Sequence, residues 1–167
     1  PSVRPPSTRL TSTSRAMAPP LRTSPPTFDA VARDLAVRQH GLATRRQLLE
    51  RGIDAALIAR RIEAGRLRVM HRGVYLVGPM ETPLARELAA TLVCGPGAVL
   101  WDRSAAHVWR LTPAEERPHP VQVAIREGQR RSRPGIDVRR IATLEARDIT
   151  QVQGIPVTTP ARTLFDL

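Results

Sequence analysis

The sequence predicts an α+β fold in two ordered units behind a disordered tail. Three observations carry this. Apolar residues recur at helical spacing three times between residues 28 and 65. Two β-prone runs flanking His71-Arg72-Gly73 follow at once. Beyond residue 80, helical and strand-like segments alternate, divided by glycine and proline.

Residues 1–27 hold four Arg, no acid, and repeated Pro-Pro pairs. With no apolar period they bury too little to offset their ordering entropy, so a disordered tail is expected. A basic arm touching DNA is one reading of it, and Met17 inside it is an alternative translation start. Phe28, Val31, Ala32, Leu35 and Ala36 then mark an amphipathic helix ending at His40-Gly41. Thr44 is placed to cap a short helix carrying Leu48 and Leu49, which Gly52 breaks. Ile53, Leu57, Ile58 and Ile62 mark a third helix closed by Gly65. Leu67 to Val77 reads as a hairpin with Gly73 at its turn. Three helices followed by a basic hairpin predict a winged helix-turn-helix over residues 28–79.

Residues 80–167 predict a small α/β domain. A helix from Pro83 to Leu92 is followed by a buried strand at Ala98–Leu100 and a helix capped by Asp102. Val121–Ile125 and Ile136–Arg140 read as the strands of a hairpin, joined by a basic loop with Arg130, Arg131 and Arg133. That loop is a solvated surface or a second contact for nucleic acid or a partner. Asp148 to Val157 is β-prone. Thr159 and Pro160 start a last helix, whose Leu164 and Phe165 are expected to dock on the domain with Leu167 frayed or exposed. That helix reads as interrupted, so a truncated domain is expected.

The 26 basic residues are all Arg; the chain has no Lys and no Asn, and carries 16 Pro. This matches GC-rich coding, which accounts for part of the +11 charge. The excess is nevertheless uneven: +4 in the tail, +5 over residues 28–79 and +2 over the rest. Without Lys there is no Walker A phosphate loop and no Schiff-base lysine. His40, His71, His107 and His119 lack metal-ligand spacing, so no metal, cofactor or catalytic residue is expected. The single Cys94 excludes an internal disulfide and reads as a small buried hydrophobe. Trp101 and Trp109 read as core anchors and Tyr75 as a ring packed under the wing. No apolar run approaches the ~20 residues of a membrane span, and a cytoplasmic location is expected.

The chain resembles the AbiEi-type antitoxin proteins of type IV toxin–antitoxin systems, in their actinobacterial form. The residues that carry this are Thr44-Arg45-Arg46-Gln47-Leu48, Gly65-Arg66-Leu67, His71-Arg72-Gly73-Val74-Tyr75, Cys94-Gly95-Pro96-Gly97-Ala98, Arg103-Ser104-Ala105-Ala106 with Trp109, and Gly154 to Leu164. The resemblance implies a winged helix that binds the operon's own promoter as a transcriptional autoregulator. It also implies an α/β domain acting against a nucleotidyltransferase-like toxin. Relatives often continue into a Vsr-like endonuclease domain. The alternatives are therefore the targeting half of such a nuclease, or an interaction module that no longer touches DNA.

The candidate contacts with double-stranded DNA are Thr44, Arg45, Arg46, Ala55, Arg60, Arg66, Arg68, His71 and Arg72. Arg45 and Arg46 open a helix whose free N–H groups favour phosphate. Arg66, Arg68 and Arg72 lie along the wing, as phosphate contacts or as a solvated basic edge; His71 beside them reads as a polar turn neighbour or as a pH-dependent contact. Ala55, Ala56, Ala59, Arg60 and Glu63 form the outer face of the third helix. Arg60 alone there can pair with guanine in bidentate fashion. Arg61, beside the apolar face, is expected to brace it.

Overall fold

The structure, a computed structural model, describes residues 27–127 and 133–167. Among these residues it is a mixed α+β fold with six α-helices and two sheets. The tail over residues 1–26 and the centre of the basic loop, with Arg130 and Arg131, lie outside the described residues.

The first unit runs α1 (Phe28–Arg38), β1 (Leu42–Thr44), α2 (Arg45–Glu50), α3 (Ala55–Glu63), β2 (Leu67–His71) and β3 (Val74–Val77). Thr27 caps α1, which buries Phe28, Val31, Ala32 and Leu35. Asp54 caps α3 through a 2.7 Å bond from the Leu57 N–H. Leu48, Ile53 and Ile58 join the α1 residues in one cluster closed by Ala43, Leu67 and Tyr75. The strand β1 was not foreseen: three residues are too short for a visible alternation. It pairs antiparallel with β3, giving the order β1-β3-β2.

The second unit runs α4 (Ala85–Cys94), β4 (Val99–Leu100), α5 (Asp102–Val108), β5 (Val121–Ile125), β6 (Ile136–Arg140), β7 (Ile149–Val152), β8 (Ile155–Thr158) and α6 (Pro160–Asp166). Its sheet has the order β6-β5-β4-β8-β7. Period-two alternation divides its residues between two faces. Leu100, Val123 and Val157 join the large cluster with α4 and α5. Val99 and Ala124 pack with Trp101 and Leu144 instead.

Three expectations need correction. β5 and β6 do not form a hairpin; they are parallel, with Val121 opposite Ile136 and Ile125 opposite Arg140. Gly135, just before β6, lies at the start of β5, where the Val121 N–H donates to its carbonyl at 2.9 Å. Parallel pairing requires the connection to come back to the end where the first strand began. Asp102 does not cap α5. It is the helix's first residue, with φ 52°, and Trp101 holds the cap position without a side-chain bond. Gln122 of β5 supplies the cap, its Oε1 accepting from the Ser104 N–H at 3.0 Å. Finally, Leu164 and Phe165 do not dock: they are 62% and 83% exposed. The helix is anchored by Thr163, fully buried, whose hydroxyl bonds that of Thr158 at 2.8 Å. Leu167 is exposed, as expected.

The two sheets are joined by packing. The face of the first sheet opposite α1–α3 presents Leu42, Val74 and Leu76 to Ala85, Leu88 and Ala89 of α4, within the cluster that fills the second unit. No helix among the described residues is long and apolar enough to cross a membrane.

Candidate nucleic-acid interface

The wing turn and the start of α2 meet. The Arg45 N–H donates to the Gly73 carbonyl at 2.8 Å, and Thr44 stands opposite Val74 in the ladder. Gly73 has φ 80°, a left-handed value that glycine adopts without strain. Arg45, Arg46 and Arg72, all exposed, are thereby gathered at one corner. Arg45 and Arg72 hold no ion pair with any described residue; Arg46 pairs with Glu50 at 2.8 Å.

The backbone of α2 offers less than its sequence suggests. Thr44 and Gln47 form a capping box, with the Gln47 N–H on Thr44 Oγ1 at 3.2 Å and the Thr44 N–H on Gln47 Oε1 at 3.0 Å. Gln39, just past the end of α1, braces Gln47. With Arg45's N–H already on Gly73, the N–H groups expected to be free are mostly used inside the fold. The Thr44 hydroxyl is likewise engaged. What this corner can offer an anion is therefore mainly its guanidinium groups.

The other candidates lie apart. Arg66 stands at the far end of β2 from Arg72, about 15–20 Å along the ladder, so the two would meet different phosphates. Arg68 is tied at 3.1 Å to Glu81, which also holds Arg86 at 2.8 Å. On α3, Ala55, Ala56, Ala59, Arg60 and Glu63 are all exposed. Arg60 holds no ion pair with a described residue, while Ala55 sits beside the exposed Asp54 carboxylate. Arg61, half-buried, stacks its guanidinium 4.8 Å from the centre of the Phe28 ring, which helps hold α3 on α1. Such bracing was readable from its place beside the apolar face.

His71 is half-buried. Burial, with the Arg133 charge adding to it, pushes its pKa below the ordinary 6.5. It is neutral at physiological pH and a weak partner for phosphate. Arg133, from the start of the β6 segment, is a neighbour that local sequence could not reveal.

Residues 31–78 match the family described as "Transcriptional regulator, AbiEi antitoxin". The match runs from Val31, within α1, through the wing and takes in the candidate contacts. Among curated proteins no relative matches the chain.

Proposed function

We propose that the chain is a DNA-binding autoregulator and the antitoxin component of a type IV toxin–antitoxin system, acting in the cytoplasm. Residues 28–79 would serve as a winged helix and residues 80–167 as the domain facing a nucleotidyltransferase-like toxin. The observation that carries the DNA-binding part is the joining of α2 to the wing turn by the Arg45–Gly73 bond, which gathers Arg45, Arg46 and Arg72. The match of residues 31–78 to AbiEi antitoxin regulators supports it. Phosphates would meet Arg45, Arg72 and, separately, Arg66. Arg60 is the residue best placed on α3 to read a base, because it is exposed, unpaired among the described residues and able to bind guanine in bidentate fashion. The alanines around it favour modest sequence specificity.

Gel shifts on the chain's own promoter test this. Binding should weaken steeply with salt, because neutralised phosphates release counterions. Arg45→Ala and Arg72→Ala should weaken all sequences alike and lower the salt slope by about one each. Arg60→Ala should cost about 1–3 kcal/mol and relax specificity. Arg68→Ala should change little, since its charge is already paired. Absence of promoter binding at low salt would leave the interaction-module reading in place of this one.

A further inference from the structure

A cleft of about 510 Å³ opens where the two units meet. Its walls come from both: His40 follows α1, Leu84 precedes α4, and His107, Val108, Arg110 and Thr112 belong to α5 and the loop after it. The size is that of a small-molecule site. Neither Asp nor Glu lines it.

Two independent features mark this cleft. His107 Nδ1 and Thr112 Oγ1 are buried polar atoms without a hydrogen-bond partner among the described residues, and both residues line it. Folded proteins rarely leave such atoms unmet; both are closed from solvent as they stand, and a side-chain rotation toward the cleft would give each a partner in an occupant. The backbone gives the second feature. His40 and Arg110 have φ of 49° and 59°. Each follows a helix end closed by a six-residue turn: Gly41 N–H to Ala36 O at 2.8 Å, and Leu111 N–H to Ala106 O at 2.9 Å. Glycine is the usual residue there, because a side chain is strained in that conformation. The chain places glycine at other left-handed positions, Gly52, Gly65 and Gly73 among them. Four described residues other than glycine share that conformation, His40, Asp102, Arg110 and Gln153; all but Asp102 line the cleft. Strain of this kind persists where the side chain is used.

We infer that the cleft binds a small organic carboxylate with an apolar body. The Arg110 guanidinium pairs with the carboxylate, and the His107 ring and the Thr112 hydroxyl, turned toward the cleft by side-chain rotation, donate hydrogen bonds to it. Leu84 and Val108 cover the apolar part. His40 is held in place by donating from Nε2 to the Gln153 carbonyl at 2.8 Å, which ties the first unit's wall to the second.

Titration of the isotope-labelled full chain with hexanoate and benzoate, followed by NMR, tests this without any DNA. It therefore stands or falls separately from the regulator reading. Saturable shifts should centre on Leu84, His107, Arg110 and Thr112. Hexanamide, with the same body and no charge, should bind at least about tenfold more weakly. Arg110→Gly should weaken hexanoate by about tenfold while raising the melting temperature, because it relieves the left-handed strain. Thr112→Val, which keeps the shape, should weaken hexanoate in the same direction. The inference fails if neither acid gives saturable shifts. It fails equally if both variants bind hexanoate as tightly as the parent, or if Arg110→Gly lowers the melting temperature.

Discussion

Glu87 lies on α4 at 1% exposure, and its carboxylate accepts two bonds from Arg117, 3.0 Å from Nε and 2.8 Å from Nη2. Arg117 also reaches the Pro83 carbonyl at 2.8 Å, fixing the entry to the helix. A buried charge that loses its partner is uncompensated, which costs about 3–5 kcal/mol. Arg117→Ala should therefore lower the urea-unfolding free energy by about 3 kcal/mol, the figure being reduced because Arg117 is partly exposed. The double variant with Glu87→Ala should recover part of the loss, because no charge stays buried. His71 gives a pH effect of defined sign. Its pKa is lower in the folded chain than the ordinary 6.5, so the unfolded chain binds its proton more readily. The stability that neutral His71 allows is complete above 6.5 and is lost as pH falls through the folded value. Melting temperature should fall over that window, and His71→Gln should flatten the fall. In the sequence both residues show only their type. Glu87 gives no sign of Arg117 thirty residues on, nor His71 of Arg133.

At the scale of elements, α6 shows how a short helix is held without its apolar residues. Thr163 bonds Thr158, and Arg162 reaches Asp166 at 3.0 Å and Asp148 at 3.3 Å. These contacts place residues 159, 162, 163 and 166 on the inner face and leave Leu164 and Phe165 outside. Replacing Leu164 and Phe165 by Ala should therefore change stability by no more than about 1 kcal/mol, the loss coming from the exposed contact of the Arg162 guanidinium 5.8 Å from the centre of the Phe165 ring. Thr163→Val should cost about 1–3 kcal/mol, because it leaves the buried Thr158 hydroxyl unpaired. Chemical denaturation of the two variants separates these outcomes. The start of α6 was legible because Thr159 and Pro160 act locally; its docking face was not, because polar anchors carry no apolar period. The same division holds elsewhere. Thr44, Gly52, Gly65 and Gly73 locate α2, α3 and the wing by local rules. The direction of β6 was hidden, since parallel and antiparallel partners have the same strand pattern and only the path between them differs.

The whole molecule is organised around β3. Val74, Tyr75 and Leu76 are buried in succession, so both faces of the strand are covered. Tyr75 faces the cluster of α1–α3, while Val74 and Leu76 face α4 and the second sheet. An unbroken apolar run is the sequence signature of a strand buried on both sides, and Val74-Tyr75-Leu76-Val77 carries it. It was legible as a wing strand, but its outer cover comes from residues beyond 84, which no local pattern near the wing specifies. The shared core has a consequence for unfolding. Were residues 28–79 to separate from the rest, Leu42, Val74 and Leu76 would be stripped of their cover. Each buried aliphatic side chain of this size is worth about 1.5–3 kcal/mol, a large part of the stability of an ordinary domain. The two units should therefore unfold together. Ile58 tests this, because it is buried in the cluster of α1–α3 and does not belong to the shared one. Ile58→Ala should cost about 2–5 kcal/mol. Trp101 and Trp109, the only tryptophans, both lie in the second unit. Their fluorescence should report the full shift in denaturant midpoint, equal to that of the α3 amide signals. A tryptophan transition left in place while α3 melts early would show that β3 does not couple the two units.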